Sequence, residues 1–305
     1  MYKGFKFRIY PNDEQIVLIE KTFGCCRLVY NDALARRKKA YSRRGESISC
    51  NQLKNLLPKL KVRLHFLKEV DSTALQQSIM DMDNAYQMFF KSSGFPKFKN
   101  KRNLVQSYRT VSATTRIIDG KHIELAKLGV IRCRLHRKVQ GVIKSATISR
   151  IADKYYVSFC CDIPEIPKLP TNENQIGIDL GVKEFAIDSN NTIYTNPKHL
   201  ANSLTKLQEE YRKLSRMQKG SSNFRKQSKR IARIHSKIAN QRLNHSHQLS
   251  RYLVNNFGII CIEDLNVKGM IEQIKDTDKR NVEKHNIRRA YSDAGLGQFI
   301  NILTY

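Results

Sequence analysis

Residues 176–195 have the sequence IGIDLGVKEFAIDSNNTIYT, and they decide the fold of the C-terminal half of the chain. Short apolar runs with a turn at Asn190-Asn191 predict two or three strands. Residues 204–256 then show helical spacing with a break near Gly220-Ser221-Ser222-Asn223, which predicts a helical hairpin. Strands followed by helices and a further strand indicate an α/β domain.

Two acidic residues lie in the apolar strands of this domain. Asp179 is at the centre of the first strand, and Glu263 ends the later apolar run 258–265, GIICIEDL. Burial of an unpaired carboxylate is costly, so we expect each to have a partner or a metal ion. Acids at the ends of neighbouring strands are what an RNase H-like (RuvC-type) fold uses to hold two Mg²⁺ ions about 3.5–4 Å apart. The alternative is that both acids are structural.

Smaller features of this domain allow further expectations. Glycines beside the two strands permit close approach of another backbone or a ligand. Strand alternation puts Asp264 on the opposite face from Glu263, so we interpret Asp264 as a cap or turn residue. His245 and His247 flank one residue within a helix and therefore do not share a face, and we expect them beside phosphates.

The N-terminal half predicts a different architecture. Residues 3–10 alternate, with Phe5, Phe7 and Ile9 on one face and basic or polar side chains on the other, which indicates a half-buried strand. Residues 11–103 are predicted to be helical and 104–163 to form short antiparallel strands in a small barrel that also takes up the N-terminal strand. The proline-containing residues 164–174 are predicted to be a linker. The chain is thus predicted to be a multidomain α+β protein.

The helices of this half have recognisable boundaries in the sequence. Pro11-Asn12-Asp13 predicts the start of the first helix. A second helical stretch from Leu53 to Val70 is predicted to break at Pro58, and a third begins at Asp71-Ser72.

The charge of the chain indicates its class of partner. It has 55 Lys and Arg against 27 Asp and Glu, a formal net charge of +28. Such an excess repels itself unless a polyanion neutralises it, and nucleic acid gains binding free energy by counterion release. The sequence has neither a signal peptide nor an apolar run of membrane-spanning length, so we expect no membrane partner and a cytoplasmic, nucleoid-associated protein.

The helical hairpin concentrates this charge. Residues 206–242 contain twelve Lys and Arg but only two acids, which favours a helical arm laid along phosphates over a merely solvated helix face.

The seven cysteines point away from zinc and from disulfides. Two pairs are adjacent in the sequence and no C-x-x-C occurs, which suits neither a tetrahedral metal site nor a disulfide. We expect reduced, mostly packed thiols and no zinc.

Several sequence blocks together resemble a known family. In order they are KFRIYPN, TFGCCRLVYNDAL, GFPKFKNKR, IGIDLGVKEFA, IANQR, ICIEDLNVKGM and SDAGLGQF, and they resemble the TnpB proteins of bacterial insertion elements, relatives of the type V CRISPR effectors. The resemblance spans essentially the whole chain. It implies a guide-RNA-directed DNA endonuclease with an oligonucleotide-binding-like "wedge" β-barrel, a helical recognition lobe and a RuvC domain with three catalytic carboxylates and an inserted zinc ribbon.

The resemblance also implies roles for individual residues. Asp179 matches the first RuvC acid and Glu263 the second, so these two would be the catalytic residues and would hold Mg²⁺. Residues 1–10 with 104–163 would form the wedge, 11–103 the recognition lobe and 175–305 the RuvC-like domain, with guide RNA and target DNA as partners. The expected nucleic-acid contacts are Lys6, Arg8, Lys97, Lys99, Lys101, Arg102, Arg109, Arg225, Lys229, Arg230 and Arg233.

The sequence departs from the family pattern after SDAGLGQF. Family members continue through a strand, a zinc ribbon and a third acid, and Asp293 does not match that acid. Gly295 and Gly297 have low helix propensity, so the last helix is expected to form poorly. We therefore expect an incomplete RuvC site that binds Mg²⁺ weakly and cleaves DNA little or not at all.

Three functions remain open from the sequence. The first is a guide-RNA-directed DNA-binding protein without cleavage, which on a promoter would repress transcription. The second is an RNA-guided endonuclease, or a transposition accessory, of which this sequence is a truncated product. The third is a non-specific RNA-binding protein.

Overall fold

The computed structural model describes residues 1–91, 94–103, 105–164, 172–273 and 281–304. The chain forms two compact units, 1–166 and 167–305, each with its own hydrophobic core. Both contain helices and sheet, in agreement with the predicted multidomain α+β class. Residues 165–171 of the predicted linker lie outside the described residues.

The first unit contains β1 (Tyr2–Tyr10), α1 (Asp13–Arg44), α2 (Cys50–Asn55), α3 (Leu57–Arg63), α4 (Ser72–Lys91), β2 (Val105–Val111), β3 (Thr115–Ile117), β4 (His122–Leu125), β5 (Gly129–Arg134), β6 (Val142–Ile151) and β7 (Lys154–Asp162). Its strands form one antiparallel sheet in the order β2-β6-β7-β1-β5-β4-β3. The N-terminal strand therefore lies inside this sheet, between β7 and β5. Among the described strands no ladder joins β2 to β3, so closure into a barrel stays a prediction.

The alternation predicted for β1 is confirmed. Phe5, Phe7 and Ile9 are only 3%, 1% and 1% exposed, whereas Lys6 and Tyr10 of the same strand are exposed. Complete burial of such an apolar side chain stabilises a fold by about 1.5–3 kcal/mol. The same continuous core includes side chains of α1 and α4, so the helices and the sheet of this unit are packed together.

Helix α1 begins where the sequence predicts. The Asn12 side chain accepts a hydrogen bond from the Gln15 backbone N–H at 2.8 Å, and the Gln15 side chain accepts one from the Asn12 N–H at 3.0 Å, which is a capping box. The Gln15 amide also donates to the carbonyls of Leu128 and Val130, tying the helix start to β5. The helix ends at Arg44 and is capped by Gly45, which has the left-handed φ of 66°.

The helical stretch is broken at Leu56, two residues before the predicted break at Pro58. Helix α2 ends at Asn55 and α3 begins at Leu57, so Pro58 lies in the first turn of α3. A proline is tolerated there because the first-turn N–H groups have no intrahelical acceptor.

The second unit contains β8 (Gln175–Leu180), β9 (Glu184–Asp188), β10 (Ile193–Thr195), α5 (His199–Asn202), α6 (Leu204–Ser215), α7 (Ser222–Asn256), β11 (Ile259–Ile262), α8 (Val267–Gln273), α9 (Asn281–Ala294) and α10 (Leu296–Leu303). Its sheet has the order β10-β9-β8-β11, with β11 parallel to β8 and the other pairs antiparallel. The predicted strands, the turn at Asn190-Asn191 and the helical hairpin α6–α7 are all present.

The last helix was expected to form poorly, and this expectation is wrong. Helix α10 begins directly after Gly295, whose φ is 67°, and includes Gly297. Its Leu296 and Phe299 side chains are 2% and 0% exposed in the core of the second unit, so packing outweighs the low helix propensity of glycine.

None of the described helices combines the length and the apolar composition that crossing a membrane requires.

Candidate nucleic-acid interface and carboxylate pair

The strand register places the two predicted catalytic acids side by side. Ile262 of β11 pairs with Ile178 of β8 in the parallel ladder, so Glu263 and Asp179 occupy the next positions along. Ile176, Ile178 and Leu180 are buried, and Asp179 between them points to the opposite, exposed face. Glu263 is exposed as well and follows the alternation of β11 to the same face.

The expectation that burial forces these acids to have a partner is therefore wrong. Both carboxylates are exposed, whereas Ile176, Ile178 and Leu180 on the other face of β8 belong to the hydrophobic core of this unit. Two carboxylates on adjacent strands still offer the hard oxygen ligands that Mg²⁺ prefers. Asp179 and Glu263 would hold such an ion, which would activate a water molecule or stabilise a leaving oxygen.

Two glycines at the ends of these strands allow the close approach that the sequence predicts. A Cβ atom on Gly258 would lie 1.6 Å from the carbonyl oxygen of Asn172, and one on Gly181 would lie 2.8 Å from that of Glu184. The Gly258 N–H donates to the Asn174 carbonyl at 3.0 Å, and the Asn172 amide donates to the Asn256 carbonyl at 2.7 Å. The start of β11 is thus bound to the segment before β8.

The other acids of this unit have different surroundings. Asp293 is 6% exposed, and its carboxylate accepts hydrogen bonds from the backbone N–H groups of Leu200 and Ala201 at 2.8 and 3.0 Å. It therefore caps the start of α5 from its own position near the end of α9. Asp264 is exposed beyond the end of β11.

The first unit presents a surface of cations and aromatic rings, which we call the β1 face. It consists of the outward side chains of β1 and of its neighbours β5 and β7: Lys6, Arg8, Tyr10, Arg132, Arg134 and Tyr156. The Lys6 ammonium lies 4.7 Å from the centre of the Tyr156 ring, and the Arg8 guanidinium lies 5.3 Å from it. Arg132 lies 5.8 Å from the centre of the Tyr10 ring.

The cations of the β1 face have no carboxylate partner among the described residues. Arg8 is directly opposite Arg134 in the ladder, and like charges in this position are destabilising. In the part of the chain that the structure describes, Lys6, Arg8, Arg132 and Arg134 form no ion pair, and the buried Arg8 Nε has no hydrogen-bond acceptor. Partial burial lowers the pKa of Lys6. A bound anion would compensate each of these costs.

Three of these residues were missed by sequence reasoning. Arg132, Arg134 and Tyr156 belong to strands that are distant from β1 in the sequence, and only the strand register brings them beside it. The alternation of basic residues in β5, RCR at 132–134, is the one sequence signal that could have indicated them.

The predicted contacts in residues 97–102 lie on an anchored segment. The Asn31 side chain accepts from the Lys99 backbone N–H at 2.8 Å and donates to its carbonyl at 3.0 Å. The Lys99 ammonium lies 4.2 Å from the centre of the Tyr30 ring, and burial lowers its pKa. Lys97, Lys99, Lys101 and Arg102 are all exposed and can reach a phosphate, and the contact with Tyr30 also orients the Lys99 side chain.

The remaining predicted contacts fall into two groups. Arg109 and Arg230 are already close to acids, with Arg109 2.9 Å from Asp81 and Arg230 3.6 Å from Glu210. The first half of α7 also exposes Arg225, Lys229 and Arg233, as it does Arg230. The exposed basic residues of α7 are the stronger candidates for phosphate contacts.

His245 packs against an aromatic ring of its own unit. It is half-buried, its ring lies 4.8 Å from that of Phe185 in an edge-to-face arrangement, and burial lowers its pKa. His245 therefore packs within the second unit and His247 is exposed, and a position beside phosphates stays a prediction for both.

Two family models match this sequence. One, described as "Probable transposase", matches residues 158–273, and one, described as "Helix-turn-helix domain", matches residues 1–46. Over residues 1–46 the structure has the strand β1 and the single long helix α1, so the second description does not fit the architecture of this segment.

Curated relatives align with nearly the whole chain. "Putative RNA-guided DNA endonuclease InsQ" of Escherichia coli (strain K12) is 32% identical over 310 residues, covering 99% of this chain and 77% of the relative. A "Putative RNA-guided DNA endonuclease" of Streptomyces pristinaespiralis is 31% identical over 310 residues, covering 99% and 74%. A solved "Cas12f1-sgRNA-target DNA complex" matches at 13% identity over 100% of this chain and 82% of that chain, with a TM-score of 0.34, which is too low to support an argument.

Proposed function

Since this chain belongs to the TnpB family, whose curated relatives are described as RNA-guided DNA endonucleases, we propose that it binds a guide RNA and the DNA to which that RNA directs it. Base pairing by the guide would select the sequence, and the protein would contact the backbone of the heteroduplex.

The β1 face is the observation that supports this proposal most directly. Four cations and two aromatic rings lie together there without a carboxylate partner in the described residues, and two of the arginines face each other across the ladder. Repulsion between these cations destabilises the folded protein, and bound phosphate groups would remove that repulsion. A protein whose partner were not a polyanion would gain nothing from it.

We further propose that residues 1–305 bind their target without cutting it efficiently. The pair Asp179 and Glu263 supplies two carboxylates on an exposed sheet face. Two carboxylates alone would hold Mg²⁺ loosely, and a misplaced catalytic group can cost orders of magnitude in rate. A guided complex that stays bound at a promoter would obstruct transcription, so repression is the consequence we propose.

The alternative is an RNA-guided DNA endonuclease. The parallel register that brings Asp179 beside Glu263 on one exposed face favours it, since structural acids need no such arrangement. The relatives are longer than this chain, and a third carboxylate contributed from elsewhere would complete the site.

RNA that copurifies with the protein provides the first test. We expect one dominant structured RNA, which then serves as the scaffold for programmed guides. Gel shifts with matched and mismatched DNA in Mg²⁺ should show binding only to the matched target, and a denaturing gel should show that DNA intact.

Other outcomes of this experiment decide against parts of the proposal. A broad mixture of copurified RNAs without guide-dependent DNA binding would favour a non-specific RNA-binding protein. Guide-dependent cutting that is lost in Asp179→Ala would establish the endonuclease. Protein free of RNA, with no shift for any guide, would refute the proposed function.

A further inference from the structure

An exposed group of aromatic rings lies where the C-terminal half of α1 meets the end of α4. We call it the aromatic groove, and its rings are those of Tyr41, Tyr86, Phe89, Phe90 and Phe95. They border a space of about 750 Å³. Phe90 is 80% exposed and Tyr41 71%, fractions that are unusual for rings of this size.

Four of these rings, those of Tyr86, Phe89, Phe90 and Phe95, pack against one another. The ring centre of Phe89 lies 5.3 Å from that of Phe90 and 5.3 Å from that of Phe95. The Phe95 ring also lies 5.5 Å from that of Tyr86 in an edge-to-face arrangement. Mutual packing orders these four rings while leaving ring surface open to solvent, so the groove offers a platform for a flat apolar group.

The charge around the groove is positive. Arg37 lies 4.9 Å from the centre of the Tyr86 ring, and its guanidinium is 2.7 Å from Asp83, so this pair neutralises itself. The exposed Lys38 also lines the groove, and Lys39 and Arg43 are exposed further along the same end of α1. The occupant should therefore combine flat apolar faces with negative charge.

We propose that the aromatic groove binds the unpaired bases of a single-stranded nucleic-acid segment by stacking, while Lys38 lies close to its phosphates. Bases in a duplex have their faces covered by neighbouring bases, whereas bases in a single strand can stack on protein rings. An apolar protein surface would match the rings but not the cations. The inference rests on the proposed function in taking nucleic acid as the partner, and it does not involve the carboxylate pair.

The test separates base stacking from phosphate binding. The full chain is titrated with single-stranded 12-nucleotide DNA and RNA probes containing 2-aminopurine, and with an abasic DNA strand of the same length. Wild-type protein should quench 2-aminopurine fluorescence and bind the base-containing strands more tightly than the abasic one. Phe90→Ala and Tyr41→Ala should each weaken binding of the base-containing strands by about tenfold and leave the abasic Kd unchanged.

Two control variants sharpen this result. Phe66→Ala removes a 43% exposed phenylalanine outside the groove and should change neither affinity. Lys38→Gln should weaken binding of base-containing and abasic strands by the same factor, as expected for a phosphate contact. If Phe90→Ala and Tyr41→Ala lose more affinity for RNA than for DNA, the groove binds the guide. If they lose more affinity for DNA, the groove binds the DNA.

Several outcomes would overturn the inference. Equal wild-type affinity for base-containing and abasic strands would refute stacking, as would full binding by Phe90→Leu, which keeps apolar volume but removes the ring. A dimer in light scattering that Phe90→Ala converts to a monomer would assign the groove to a second copy of the chain. If groove variants bind all strands normally while guide RNA still copurifies, the groove inference fails and the proposed function stands.

Discussion

Arg8 and Arg134 lie directly opposite each other on neighbouring strands, and this single contact links stability to binding. A pair of like charges at this position destabilises a sheet by roughly 0.2–1 kcal/mol. We expect Arg134→Gln to raise the free energy of unfolding of the RNA-free protein by about this amount. The same change should weaken RNA binding and reduce the slope of log Kd against log salt by about one.

The control for this prediction is Arg134→Lys, which keeps the charge and should change both quantities little. Urea unfolding measures the stability, and filter binding at several salt concentrations measures the slope. A variant that loses stability and keeps its RNA affinity would show that Arg134 has a structural role.

Gly258 is a residue at which backbone contact excludes any side chain. A Cβ atom there would lie 1.6 Å from the Asn172 carbonyl oxygen. Gly258→Ala should therefore displace the segment before β8 and destabilise the second unit by more than about 1 kcal/mol, the usual size of a point-mutant effect. Thermal unfolding followed by circular dichroism checks this, with Gly297→Ala as the control, since a Cβ on that helical glycine meets nothing within 4 Å. An unchanged melting temperature for Gly258→Ala would contradict the close contact.

At the residue scale, local alternation was the most reliable guide in the sequence. The inward Phe5, Phe7 and Ile9 of β1 follow from a period of two that depends only on neighbouring residues. The exposure of Asp179 could not be predicted in this way, because it depends on whether anything packs on the second face of its sheet. Arg132 and Arg134 were missed for a related reason, since strand register is a property of the fold.

Among the elements, the hairpin of α6 and α7 combines a small apolar cluster with a buried carboxylate. Glu210 is 5% exposed, and its carboxylate accepts a hydrogen bond from the Gln227 side chain at 2.8 Å. The Lys213 ammonium lies 3.2 Å from this carboxylate, and the Arg230 guanidinium lies 3.6 Å from it. The Gln227 hydrogen bond, followed by that of Lys213, holds the pKa of Glu210 below its usual value. The ionised form is therefore the one that stabilises the hairpin.

This pKa shift predicts a pH dependence for the hairpin. A carboxyl group whose folded-state pKa is depressed contributes stability above its unfolded pKa of about 4.3, and this contribution is lost as the pH falls through the lower folded value. Glu210→Gln should therefore lower Tm at neutral pH, and the difference from wild type should shrink below pH of about 4. Melts recorded by circular dichroism at several pH values test this. Glu209→Gln, at the exposed neighbouring position, should show no such difference, and a deficit of Glu210→Gln that is the same at all pH values would argue against the ionised form.

Helix boundaries were predictable where a side chain caps the helix and less so where packing decides. Asn12 marks the start of α1, because it forms a capping box with a residue only three positions along the chain. By contrast, α10 forms despite Gly297 because Phe299 is buried against the second unit's core, and that burial depends on distant residues. The pairing of Asp179 with Glu263 likewise required β8 and β11 to be parallel neighbours.

For the whole molecule, the dominant physical property is the net charge of +28. The charge is distributed over both units, with the β1 face and residues 97–102 in the first and the exposed side of α7 in the second. Mutual repulsion of this kind opposes folding unless counterions or a polyanion screen it. Salt should accordingly act in opposite directions on the free protein and on its complex with RNA.

We expect this opposition to appear as two melting curves that converge as salt increases. Screening shortens the range of repulsion, from a Debye length of roughly 10 Å at 0.1 M to about 3 Å at 1 M, so Tm of the RNA-free protein should rise with salt. RNA stabilises the fold in proportion to the logarithm of its affinity, and that affinity falls steeply with salt, so the Tm of the complex should fall towards that of the free protein. Differential scanning fluorimetry over a series of NaCl concentrations, with and without the copurified RNA, measures both curves. If the RNA-free protein instead melted at a lower or constant temperature as salt increased, self-repulsion would not limit its stability, and the positive surface could no longer be explained by the need for a polyanionic partner.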